Sequence, residues 1–287
     1  MKKFQYVVLL VLLSISVIYG KNLRIEPKEL AKELNNYTIL DTRTFKEYKK
    51  GHIKGALNFP INLTYEHKKI DGKLANPIKM QKIIRDLGLT NKTAIVIYDD
   101  GTFFDSARLF WSLEVYGFTD VKLLNSGYKE WLNNGYKISK TTPIIKRSNY
   151  ISEVNHKRLA TKFTTQIATH NPNQVIVDAR DYKSYIGEKS SAKRFGHIPK
   201  AIHIPATHNI NYKKNQDRLK KEIQLKEVYN KIDKNKKVVI YCSVGRAAST
   251  NYFALRELGY DVSNYDASWN EWGNDFNLPI RNRLKKK

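Results

Sequence analysis

Cysteine is almost missing from this chain, with one, Cys242, in 287 residues. A single thiol excludes an intramolecular disulfide framework and any zinc site built from several thiolates. Acidic residues are also scarce, 27 against 51 lysines and arginines, which leaves a net charge of +24. Such an excess can mark a nucleic-acid or membrane-surface partner. No zinc-ligand set, RNP-like stretch or basic helix accompanies it, and the lysines are spread along the whole chain. The charge therefore reads as a solvated surface that draws small anions, not as a nucleic-acid interface. Long apolar runs are lacking except at the start, where Tyr6 to Leu13 is unbroken and apolar residues continue to Tyr19. That is short of the roughly 20 apolar residues of a membrane-spanning helix. Lys2 and Lys3 precede the run and Ser14-Ile15-Ser16 offers a cleavage pattern, so residues 1–20 read as an export signal. The expectation is an exported, periplasmic protein that touches a membrane only if this segment stays uncleaved.

What is present is a repeat. The run ending in Asp41-Thr42-Arg43 recurs as the run ending in Asp178-Ala179-Arg180. Gly51-His52-Ile53, followed by Ala56 and Pro60, recurs as Gly196-His197-Ile198, followed by Ala201 and Pro205. Ile95-Val96-Ile97-Tyr98-Asp99 recurs as Val238-Val239-Ile240-Tyr241-Cys242. Gly127-Tyr128-Lys129-Glu130-Trp131 recurs as Ser268-Trp269-Asn270-Glu271-Trp272. Four blocks in one order, about 140 residues apart, describe a duplicated domain and not a solenoid. The apolar fraction of 41% is enough to fill two cores. The polar stretch around Pro143 is the break, giving units at 21–142 and 149–287 with a linker at 143–148.

Each unit alternates strand-like and helix-like segments, with helices predicted over 27–34, 78–87, 106–115 and 251–258. This alternation implies an α/β fold, each unit a mainly parallel sheet covered by helices on both faces. Ligands of such sheets bind beyond the carboxyl ends of strands. Cys242 falls at such an end and faces a helix N-terminus, where unpaired N–H groups favour negative charge on sulfur. Two readings follow, a catalytic thiolate or a buried cysteine acting as a small hydrophobe. The repeat bears on the choice, because the same frame carries Asp99 in the other copy, and packing alone does not explain why only one copy has sulfur. Asp99 and Asp105 read as loop and cap residues.

The four blocks together resemble the rhodanese family, and the two-domain sulfurtransferases in particular, from about Leu23 to Ile280. The resemblance implies two tandem rhodanese-like domains, the first inactive and forming one wall of an interdomain cleft, the second catalytic. It implies sulfur transfer from a small anionic donor such as thiosulfate to cyanide or a thiol through a persulfide on Cys242. No metal or organic cofactor is implied, and a monomer is expected. Ser243, Val244, Gly245, Arg246, Ala247 and Ala248 would cradle the sulfur with their backbone N–H groups. Arg180 matches a donor-binding position of the family, with an ion pair to Asp178 or Asp181 as its other role. Arg246 would face the donor or point to solvent. Arg43, His52 and His197 are expected to be structural.

The loop departs from both specificity patterns of the family. Thiosulfate-type members carry basic residues where this chain has Ser243 and Val244. Mercaptopyruvate-type loops are broken here by Ser243, Val244 and Arg246, while Gly245 is common to both. The positive charge of Arg246 and of the whole chain favours thiosulfate, with 3-mercaptopyruvate as the alternative. A phosphatase on this fold would need its loop arginine at position 248, where the chain has Ala248. A non-catalytic exported binding module is the reading from a different class.

Overall fold

The computed structural model describes residues 22–67, 72–213 and 217–284. The proposed export signal lies outside the described residues. Among the described residues no helix is long and apolar enough to cross a membrane.

Each unit is built on a five-stranded sheet in which every described strand pair is parallel. The first runs in the order Arg24–Ile25, Val121–Leu124, Ile95–Tyr98, Thr38–Asp41, Leu57–Asn58. The second runs Leu159–Ala160, Val262–Tyr265, Lys237–Tyr241, Gln174–Asp178, Ile202–His203. The two orders correspond strand for strand, so the sequence repeat is a repeat of topology. The strands read as near-continuous apolar runs because both faces are covered, as parallel sheets require.

The twofold period of a strand divides these runs between two cores. Val238, Ile240 and Cys242 belong to a large cluster that also takes Ile95, Ile97 and Leu123 from the first unit. Val239 and Tyr241 point the other way, into a separate cluster with Trp269 and Trp272. Val96 and Tyr98 do the same in the first unit, with Trp131. Cys242 therefore faces the contact between the units, while its neighbour Tyr241 faces away from it.

Two helices fill that contact, Phe104–Val115 and Ala248–Glu257. Nearly every residue of the first is buried, as is every residue of the second from Ala248 to Leu255. Their buried faces include polar side chains, among them Arg108, Ser112, Ser249, Thr250 and Asn251, so both helices are enclosed on nearly all sides. Phe110 meets Phe253 edge-on, with centroids 5.0 Å apart. Glu114 accepts from Tyr252 at 2.5 Å and from Arg256 at 2.9 and 3.0 Å. The first helix starts two residues before its predicted beginning, the second three residues before. Neither has a side-chain cap to mark its start in the sequence. Residues 27–34 divide into a helix, Pro27–Lys32, and a 3-10 turn, Leu34–Asn36.

On the outer face of each sheet the Asp-x-Arg block forms one network, built twice. Arg180 Nε donates to the Asp178 carboxylate at 3.0 and 3.2 Å, and Nη2 donates to it at 2.6 Å and to Gly196 O at 2.7 Å. Tyr241 donates to the same carboxylate at 2.6 Å and accepts from the Ile198 N–H at 3.1 Å. Arg43, Asp41, Gly51, Tyr98 and Ile53 repeat this arrangement with nearly the same distances. His52 and His197 sit beside it, each with Nδ1 on a backbone carbonyl, of Tyr48 at 2.9 Å and of Tyr185 at 2.8 Å, and each stacked on that tyrosine.

Replacing one arginine of each network by methionine, Arg43→Met or Arg180→Met, leaves a buried carboxylate uncompensated. Each variant is expected to lose about 3–5 kcal/mol of unfolding free energy in urea. A loss confined to one of the two would contradict the equivalence of the networks.

Candidate active site

Tyr241 is anchored on the outer face, and this fixes where the next residue emerges. The Cys242 N–H donates to Ser268 Oγ at 3.2 Å, and its carbonyl accepts from the Trp269 N–H at 3.0 Å. Ser268 holds this position at φ +56°, with its hydroxyl donated to Tyr265 O at 2.9 Å. Cys242 as a residue is 3% exposed.

From Cys242 the chain turns through Ser243 to Ala247 into the Ala248–Glu257 helix. Gly245 makes the turn at φ +69°, and a Cβ there would stand 2.7 Å from both an Arg108 nitrogen and the Asp266 carbonyl. Only glycine meets both conditions. Its carbonyl is held by Ser249 Oγ at 2.8 Å and Asn264 Nδ2 at 3.1 Å. Among the described residues, none accepts from the backbone N–H groups of Val244 to Ala248. These groups and the helix N-terminus form a nest that favours an anionic sulfur. The seven expected loop residues, Cys242 to Ala248, are thus brought together.

The first unit closes over this loop. Gly72, at φ +96°, lies so near the Val244 and Ala267 backbones that a Cβ would meet them at 3.0 and 3.1 Å. The Leu74 N–H donates to the Asp266 carboxylate at 2.6 Å. Arg108 comes from the Phe104–Val115 helix and is fully buried. It donates to Val244 O at 3.3 Å, Gly72 O at 3.1 Å and Thr64 Oγ1 at 3.3 Å. Its guanidinium also lies over the rings of Tyr65 and Trp111. Among the described residues no carboxylate pairs with it, and its guanidinium meets the loop at Val244 O. The clue in the sequence is an arginine beside the apolar run Leu109-Phe110-Trp111, since arginine is almost never fully buried without partners.

Arg246 is half-exposed and pairs with Asp105 of the first unit, with Nη2 2.9 Å from Oδ2. It does not stand free, and Asp105, expected as a loop or cap residue, caps no helix and serves this pair across the units instead. Arg180 is not brought to the loop. Its guanidinium is spent on Asp178 and Gly196, the ion pair that is the second of its two expected roles, and it stacks on Trp269, 4.4 Å from the ring centre. The reason is the strand alternation that sends Tyr241, and Asp178 with it, to the opposite face from Cys242.

The matching place in the first unit is filled by its own side chain. Asp99 is buried, its Oδ1 accepting from the Gly101 N–H at 2.7 Å and its Oδ2 from Ser106 N–H and Oγ at 3.2 and 3.0 Å. This is the cap role expected for it. Burial, helped by the neighbouring Asp100, pushes its carboxyl up to about 6. A cavity of about 330 Å³ stands beside it, lined by Arg43, Asn62, Asp99 and Asp105 among others. A larger one, about 720 Å³, lies between the units among Arg24, Asn125, Arg218 and Glu257, and no residue of the Cys242 loop lines it.

The family model described as "Rhodanese-like domain" matches this chain twice, over residues 26–134 and 160–275. A protein of Saccharopolyspora erythraea provisionally named a thiosulfate sulfurtransferase is 30% identical over 248 residues, covering 82% of this chain and 86% of that one. The 3-mercaptopyruvate sulfurtransferase of Escherichia coli K12 is 26% identical over 249 residues, covering 84% and 86%. The crystal structure of Escherichia coli SseA superposes with a TM-score of 0.77 at 23% identity, covering 86% of this chain and 99% of that one. The anaerobic ergothioneine biosynthesis enzyme of Chlorobium limicola superposes at 0.81 with 21% identity, covering 93% and 71%. The two structural likenesses speak to the fold.

Asp99 gives a pH test. Its folded value lies above the ordinary carboxylate range, so its ionised form is penalised in the fold. That cost is present above about pH 6 and is relieved as pH falls towards 4. Lowering the pH from 7 to 5 is expected to stabilise the wild type relative to Asp99→Asn in denaturant unfolding. Parallel pH profiles for the two proteins would rule this out.

Proposed function

Because the chain belongs to the rhodanese family, we propose that it is a sulfurtransferase that carries a sulfane sulfur on Cys242, with thiosulfate as donor and cyanide or a thiol as acceptor. The observation that carries this reading is the contrast between two matched strand ends. One bears a thiol inside a nest of unpaired N–H groups. The other bears a carboxylate that turns back onto its own loop and takes the Gly101 N–H and the Ser106 N–H and hydroxyl.

In the first half-reaction the Cys242 thiolate attacks the outer sulfur of thiosulfate. A new S–S bond forms, the bond to the SO₃ group breaks, and its electron pair leaves with sulfite. In the second, the acceptor attacks the outer sulfur and the electron pair returns to Cys242. Both states of the site carry negative charge on sulfur, first on the thiolate and then one atom further out. The loop N–H groups and the buried Arg108 suit both without rearrangement, because they are fixed before any sulfur arrives. The shielding of Cys242 by the first unit strengthens these interactions by keeping water away.

Thiosulfate is favoured over 3-mercaptopyruvate by the positive charge at the loop, where Arg246 supplements Arg108. Asp105 partly neutralises Arg246, so the discrimination rests on a balanced pair and not on a free cation. The named activities of the Saccharopolyspora erythraea and Escherichia coli relatives support one donor each. Export to the periplasm is supported by the basic start and apolar run of residues 1–20. A monomeric state fits an interface in which both units already bury a helix against each other.

Mass spectrometry after incubation with thiosulfate is expected to show the gain of one sulfur atom on wild type and none on Cys242→Ser, which also loses turnover. Transfer at wild-type rate by the serine variant would end the reading. Turnover with thiosulfate is expected to exceed that with 3-mercaptopyruvate, and the reverse order would reassign the donor.

A further inference from the structure

Tyr65 belongs to the first unit, where it follows the 3-10 turn Ile61–Thr64. Its backbone is held on three sides. The N–H donates to Asn62 O at 3.3 Å, the carbonyl accepts from Lys79 Nζ at 2.5 Å, and the residue bridges Leu74. Its ring is 1% exposed and lies against the guanidinium of Arg108, 4.1 Å from the ring centre. The hydroxyl at its tip is buried and has no hydrogen-bond partner among the described residues.

An unpaired buried hydroxyl costs about 1–3 kcal/mol, and most buried side-chain polar atoms are paired. Phenylalanine would fill this space without the cost. The hydroxyl stands on a ring packed against Arg108, within electrostatic reach of the site between the units. The charged or ionisable groups that act on it are Arg108, Cys242, Arg246 and Asp105. All four belong to the site between the units, and two are the nucleophile and the arginine of its loop. Arg108 links the same ring to the loop through Val244 O. Burial holds the phenol above its ordinary range, so it keeps its proton at neutral pH and can only donate to an anion.

We propose that the Tyr65 hydroxyl is the hydrogen-bond donor that the first unit supplies to the sulfur carried on Cys242. The inference rests on the persulfide reading above. The hydroxyl lacks an acceptor in the free enzyme and gains one when an outer sulfur stands beyond Cys242. The interaction is therefore made in the loaded state and in the transition states that lead into and out of it, and it strengthens transfer without strengthening donor binding. The first unit, which has no thiol of its own, then contributes a functional group to its partner's chemistry.

The test is Tyr65→Phe, which removes the hydroxyl and keeps the ring over Arg108. A structural hydroxyl would be missed in stability. This one is expected to leave the melting temperature unchanged or raise it. Turnover with thiosulfate and cyanide, normalised to protein that can be loaded on Cys242, is expected to fall about tenfold to a hundredfold in kcat, with donor KM little changed. Wild-type kcat in Tyr65→Phe would overturn the proposal while leaving the persulfide reading intact. So would a loss of kcat matched by a loss of folded protein, which circular dichroism reports. Failure of the wild type itself to gain sulfur would overturn the persulfide reading, and this inference with it.

Discussion

The carboxylate of Asp178 holds the catalytic unit in register. It takes three donors from Arg180, the backbone N–H, Nε and Nη2, and one from Tyr241, and Tyr241 immediately precedes Cys242. A buried charge pair of this kind adds little net stability over apolar packing, but it is costly to break and it specifies geometry. Here it ties the end of the central strand to the neighbouring strand and to the Gly196-His197-Ile198 turn at once. With Tyr241 fixed outward, the pleat leaves Cys242 no choice but to point towards the other unit. The site is thus set by an interaction that never touches it.

The second constraint is the pair of buried helices between the units. Their burial makes one continuous core from two sheets. The catalytic loop stands at the edge of this core, where Gly72, Leu74, Arg108 and Asp105 of the first unit meet Val244, Gly245, Arg246 and Asp266 of the second. The buried polar contacts Tyr252–Glu114 and Arg256–Glu114 fix how the helices meet, which apolar surfaces alone do weakly. An error of docking would therefore appear at the active loop before it appeared in either sheet.

Much of this was legible in the sequence, and the division follows the range of each interaction. The repeat, the parallel sheets, the strand end at Cys242 and the turn at Gly245 are local patterns in the chain. The role of Arg180 was half legible. The sequence offers both an ion pair and a ligand contact, and only the alternation of Tyr241 and Cys242 between faces selects the pair. The partnership of Arg246 with Asp105 joins residues 141 apart, and no local pattern announces it. Arg108 and Tyr65 were missed for the same reason, since their meaning comes from the docking of one unit on the other. The early start of the Ala248 helix escaped because small residues and a glycine turn replace the usual capping side chain.

The first unit explains why the fold keeps one site and not two. It has the Asp–Arg–Tyr anchor, the parallel sheet and the strand end, so position 99 is presented as position 242 is. Yet Asp99 turns its carboxylate back onto Gly101 and Ser106, so the strand end is occupied by its own side chain. The following block differs as well. A Cβ at Gly127 would stand 2.2 Å from Asp100 O, so the loop has collapsed onto that position. The equivalent Ser268 has room for its side chain and uses it to hold the Cys242 N–H. A thiol placed at 99 would supply sulfur but neither the open nest nor this support. What the first unit retains is the opposite wall, with the cation of Arg108 and the hydroxyl of Tyr65 turned towards its partner. The duplication has therefore become a division of roles, in which one copy presents the nucleophile and the other encloses and polarises it.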